Sequence, residues 1–135
     1  MYHAQALLDV HARAHESLRR LIVFCGNLTD AELRLPLTGF GFPTVLDQLE
    51  HTIGAEVYWQ TVVTRGYTEE ATPPTVRDLA AIEAFRYQTA SATRAYLDGA
   101  SEVELNSRPG TGDVPHDRQA ERENRSGLSR RLSDR

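Results

Sequence analysis

The chain has 135 residues, 40% of them hydrophobic and 25% charged, and a formal net charge of −4. That is room for one domain with its own core, and the acidic balance gives no reason to expect nucleic acid as a partner. A single cysteine, Cys25, excludes an internal disulfide framework, and no apolar run approaches the ~18 residues of a membrane span.

The opening stretch, MYHAQALLDVHARAHESLRR, has no basic region followed by an apolar run, so no signal peptide is expected and the predicted location is the cytoplasm. Residues 2–25 contain no Gly or Pro. Within them Leu7, His11, His15, Leu18 and Ile22 recur at steps of four, four, three and four. That spacing puts all five on one side of an α-helix. Gly26-Asn27 supplies a stop signal, and Thr29 with Glu32 has capping-box order for a short following turn. Residues 34–43, RLPLTGFGFP, read as a loop. A second helix is predicted from near Thr44 to Arg65, with Thr44 as cap, Asp47 in the first turn and Gly66 at the end. It carries two apolar stripes: Val45, Leu49, Ile53 and Val63, then Ala55, Tyr58 and Val62 flanked by Trp59. A helix apolar on two sides calls for more than one neighbour. After a connection at 66–74, Thr75 is the predicted cap of a third helix, with Asp78 three residues on. Its predicted buried stripe is Leu79, Ile82, Phe85, Thr89, Ala92 and Tyr96, and it runs to about Asp98. Ser101 with Glu104 predicts one more short turn.

After Ser107 the composition changes. Residues 1–107 hold 8 Arg against 14 acidic residues; residues 108–135 hold 7 Arg against 5, and only Val114, Ala120, Leu128 and Leu132 are apolar. So polar a segment buries too little to offset its ordering entropy. The predicted organisation is an all-α helical bundle over 1–107 and a polar, Arg-rich, disordered tail over 108–135. The break is also what a shifted reading frame or a truncation would leave. Three long helices with wide apolar stripes lack a fourth wall. Either the domain dimerises through an exposed apolar groove, or a fourth helix is missing from this chain.

Chemistry-bearing residues are few. His11 and His15, four apart, project from one helical face, a spacing that can grip one transition metal. A satisfied pair of boundary histidines is the alternative. His51 shares its side of the second helix with Ala55, Tyr58 and Val62, which predicts that it points at a neighbour. Imidazole suits Zn, Ni, Fe or Cu. Glu56 falls on the Val45–Leu49–Ile53–Val63 stripe, where a carboxylate is costly unless paired. The alternatives for it are an ion pair with Arg94 or Arg20, exposure at the stripe edge, an acceptor supporting metal ligands, or a general base with a raised pKa. Cys25, at a helix C-terminus, is expected to be a small apolar filler. His3 and His116 are expected to carry no function.

Residues 41–59, GFPTVLDQLEHTIGAEVYW, resemble the segment of the DinB-like family in which a loop feeds a helix. Val45, Asp47, Leu49, His51, Ala55, Glu56 and Trp59 match in order, with Thr44 in place of Ser. Residues 27–37, NLTDAELRLPL, and 75–85, TVRDLAAIEAF, are similar to the family's first linker and the start of its third helix. The resemblance covers about residues 5–105. It implies an up-down-down-up bundle, often a homodimer, that binds a divalent metal, often Zn or Ni. The ligands it implies are a helix-two His, here His51, and a fourth-helix HxxxH pair with no counterpart here, so that either His11 and His15 replace the pair or no metal is bound. It also implies a metal-dependent transferase, isomerase or hydrolase acting on a small-molecule substrate with a low-molecular-weight thiol. A non-enzymatic dimeric helical interaction domain is the alternative.

Overall fold

The computed structural model describes residues 1–39, 41–66 and 76–107. The expectations for Thr75 and for the 108–135 tail therefore lie outside the described residues. Among the described residues all regular structure is helical: α1 (Ala4–Cys25), α2 (Asp30–Leu33), α3 (Val45–Arg65), α4 (Leu79–Gly99) and α5 (Glu102–Asn106). No helix among them is long and apolar enough to cross a membrane.

Local chemistry accounts for the helix ends. Thr29 and Glu32 form a full capping box at α2, and Thr44 and Asp47 form another at α3. In each, the hydroxyl accepts the third amide of the helix while the carboxylate returns to the cap amide, satisfying two donors that lack intrahelical partners. Gly66 ends α3 at φ 79°, a left-handed conformation that glycine adopts without a Cβ penalty. Gly26 behaves differently. It stays right-handed at φ −62°, and a Cβ there would approach the Val23 carbonyl oxygen to 3.0 Å. The start of α4 is also shifted from expectation. Asp78 caps it, its carboxylate accepting the Ala81 amide at 2.8 Å, and the helix begins at Leu79. The Val76 amide is committed elsewhere, to Glu50 Oε2 at 3.2 Å.

Helix α4 packs against both α1 and α3. The Tyr2 amide donates to Asn106 Oδ1 (2.7 Å), Asn106 Nδ2 donates to the Tyr2 carbonyl (2.9 Å), and His3 pairs with Glu102 at 2.7 Å. The beginning of α1 thus lies beside the end of α4, and the two run antiparallel. The Glu50–Val76 bond joins the early part of α3 to the start of α4, while Val63 and Tyr96, late in each, line one depression. So α3 and α4 run in the same direction.

The apolar core fills one half of this arrangement. Ile22, Cys25, Leu33, Leu46, Leu49, Ile53, Ile82 and Phe85 are buried together, with Leu18, Leu28, Val45, Val57, Val76 and Leu79 against them. Ile82 is 0% exposed and Ile53 1%, and burying such side chains supplies most of the driving force. Burial raises the pKa of the Cys25 thiol, in keeping with a filler role. The predicted α4 stripe is modified: Arg86 and Leu97 are buried and Ala92 is exposed. Arg86 is tolerated inside because its Nε and Nη2 donate to Glu83 at 2.7 and 2.5 Å.

Much apolar surface stays uncovered. On α1, Val10, Ala14, Leu21 and Phe24 share one exposed side, interrupted by the polar Ser17. On α3, Tyr58, Trp59 and Val63 are exposed as well. Neither predicted α3 stripe is covered throughout: Leu49 and Ile53 are buried and Val45 half-buried while Val63 is exposed, and Val62 is buried and Ala55 half-buried while Tyr58 and Trp59 are exposed.

Candidate metal centre

Where the apolar core ends, the interior becomes polar. One turn beyond Ile53 on α3 stands Glu56; one turn before Leu18 on α1 stands His15. The two meet. His15 Nε2 lies 2.7 Å from Glu56 Oε2, and His11 Nε2 lies 2.9 Å from Glu56 Oε1. Thr93, on α4, donates its hydroxyl to Glu56 Oε1 at 2.6 Å. Three helices therefore contribute to one cluster.

The spacing of the histidines explains how both rings reach one carboxylate. Residues four apart sit nearly above one another on a helix, and the two ring centroids are 4.4 Å apart at an interplanar angle of 57°. The side chains of His11, His15 and Glu56 are 16%, 8% and 27% exposed. Gln5, Leu8, Asp9, Ala12, Ala90 and Arg94 line an adjoining depression of about 270 Å3 that reaches both histidines, so the cluster is sheltered but not sealed.

The carboxylate's environment is set by two opposing effects. Burial pushes the Glu56 carboxyl up, while the hydrogen bonds from Thr93 and His11 and the proximity of His15 pull it down. The balance holds it below the ordinary carboxylate value. This corrects the alternative of a general base with a raised pKa. Neither proposed arginine partner is present: Arg20 bonds to Glu16 and Arg94 faces Asp98.

The donor set suits a divalent transition metal. Two imidazole nitrogens and a carboxylate oxygen, no pair more than 4.8 Å apart, form a candidate ligand group. Donors in a tetrahedral zinc site stand roughly 3.3 Å apart, so modest side-chain rotation closes the difference. Ligation through Nε2 places the imidazole proton on Nδ1, and His15 Nδ1 is buried with no hydrogen-bond partner. Moving the proton there gives up the Nε2–H bond to Glu56 Oε2, which the ion would replace, and leaves the Nδ1–H in want of an acceptor.

His51 does not join this group. It is exposed, and its ring stacks on Phe42 with centroids 3.8 Å apart and an interplanar angle of 18°. The expectation that it points at a neighbouring helix is corrected by helical geometry. Five residues separate it from Glu56, a rotation of about 140° around the α3 axis, so the two cannot face the same space. Sequence reasoning singled out His11 and His15 as candidate ligands and Glu56 as a supporting acceptor, all three of which the structure brings together, but missed Thr93. Its only signal was a threonine four residues beyond Thr89 on the buried side of α4. No family model, curated protein or solved structure matches the chain.

Proposed function

We propose that the protein is a metal-binding helical protein of DinB-like kind, in which His11, His15 and Glu56 hold one divalent ion, Zn or Ni. The observation that carries this reading is the convergence of three ligand-type side chains from two helices on one sheltered point. The direction of the helices supports it: α1 runs one way and α3 and α4 the other, the order of the first three helices in an up-down-down-up bundle. Three protein ligands and an adjoining depression are the pattern of a catalytic ion site that keeps a position for an exchangeable group. The chemistry such an ion would supply, held by His11, His15 and Glu56, is a lowered pKa for a water or thiol, which would make that group nucleophilic near neutral pH. The chain's own contribution is to orient that group, through two imidazoles fixed on one helical face, and to shelter it between α1 and α4. On this reading the activity class is transfer or hydrolysis on a small molecule, with a low-molecular-weight thiol as a candidate co-substrate. The purified protein should carry about one equivalent of metal, lost in His15→Ala and retained in His51→Ala. Metal-free wild-type protein that takes up no Zn or Ni on addition rejects this reading.

A second reading, a dimeric interaction domain, is favoured by the exposed stripe on α1. Apolar residues at alternating steps of four and three form a helix–helix seam, and Val10, Leu21 and Phe24 leave this one open to solvent.

A further inference from the structure

We infer that Thr93 is a positioning residue for the His11–His15–Glu56 centre: its hydroxyl holds one oxygen of Glu56 so that the other faces the ion. This inference rests on the metal-binding reading above.

Thr93 behaves unlike the threonines of α3. Thr52, Thr61 and Thr64 each donate their hydroxyl to the carbonyl four residues back, Gln48, Val57 and Gln60, at 2.8, 2.8 and 2.9 Å. This local bond is the common habit of a threonine within a helix. The Thr93 hydroxyl instead crosses from α4 to α3 and donates to Glu56 Oε1 at 2.6 Å, closer than either imidazole contact. A β-branched side chain has few rotamers, so the direction of that hydroxyl is largely fixed by the backbone of α4.

The chemistry of the three donors separates them. Each imidazole that becomes a ligand through Nε2 presents a lone pair to the ion and can no longer donate a proton from that nitrogen to Glu56. Thr93 keeps its hydroxyl proton in either state. Of the three groups that bond Glu56, it is the one able to go on doing so when an ion is present. With Oε1 held by Thr93, Oε2, the oxygen now facing His15, is left to ligate. Hydrogen-bonding partners behind metal ligands typically change affinity 10–100-fold when removed.

The test uses the full-length chain, Zn2+ by competition with a chromophoric chelator, and Co2+ absorption as a report on coordination. Thr93→Val removes the hydroxyl and keeps the shape; Thr93→Ser keeps the hydroxyl. The expected result is that Thr93→Val weakens Zn2+ binding about 10–100-fold and alters the Co2+ visible spectrum, while Thr93→Ser stays within roughly threefold of wild type. Circular dichroism confirms folding, and Thr93→Ala replaces the valine variant if that one does not fold. Zn2+ affinity in the valine variant equal to wild type overturns the inference and leaves the metal site standing. Equal weakening in the serine and valine variants also overturns it. Wild-type protein that binds no Zn2+ overturns the metal reading, and this inference with it.

Discussion

Glu56 is the residue on which the interior of the protein turns. It accepts hydrogen bonds from His11, His15 and Thr93 in a partly buried setting, where losing an acceptor leaves donors without partners. Glu56→Gln keeps the shape but turns an amide donor toward one of these groups. It should cost about 1–3 kcal/mol of stability, measured by urea unfolding at pH 7; a change below about 0.5 kcal/mol would show that the cluster contributes no more than an ordinary surface contact. The pH dependence follows in sign. The carboxyls of Glu56 and Glu83 are held below their ordinary values in the folded protein, and that of half-exposed Glu16 is lowered to about 2 by Arg19 and Arg20. A carboxyl depressed on folding adds stability that is present above its unfolded pKa and lost as pH falls through its folded pKa. Thermal midpoints should therefore hold level down to about pH 5 and decline steadily below it, with a shallower decline in Glu56→Gln. A midpoint that rises on acidification would contradict this.

At the scale of elements, the helix boundaries were the most legible part of the sequence. Thr29 with Glu32 and Thr44 with Asp47 are local signals, and both boxes formed. The start of α4 was less legible: Thr75 and Asp78 are both cap-type residues in the sequence, and it is Asp78 that caps the helix, with the Val76 amide engaged by the distant Glu50. Asp78→Ala should cost about 1 kcal/mol in thermal unfolding, and an unchanged midpoint would deny Asp78 the capping role. Core stripes were legible too, since periodicity alone marked Ile53, Ile82 and Phe85. Ile82→Ala, at a fully buried position, should cost about 2–5 kcal/mol. Which α3 stripe faces a neighbour was not legible. Both are apolar, and only long-range packing decides that the Ile53 side is covered while His51 is left to stack on Phe42. The meeting of Glu56 with His11 and His15 spans more than forty residues of sequence, and no local pattern encodes it.

For the whole molecule, the consequence is a bundle with apolar surface left uncovered on α1 and on α3. Val10, Leu21 and Phe24 on α1 and Trp59 and Val63 on α3 are large apolar residues left exposed, more than scattered surface residues account for. If a second copy covers α1, sedimentation should show a concentration-dependent dimer, and Leu21→Glu should shift it to monomer while thermal stability at low concentration barely changes. A monomer at every concentration would remove the dimeric reading and leave the ion site untouched, because His11 and His15 lie about 100–140° around α1 from that stripe, on its covered side.

The most direct test of the central claim is a titration of metal-free protein with Zn2+, followed by chelator competition, in wild type, His15→Ala, Glu56→Ala and His51→Ala. One equivalent should bind to wild type and to His51→Ala, with affinity lost in the other two. Binding that disappears with His51 and persists without His15 and Glu56, or no binding in wild type, would contradict the account.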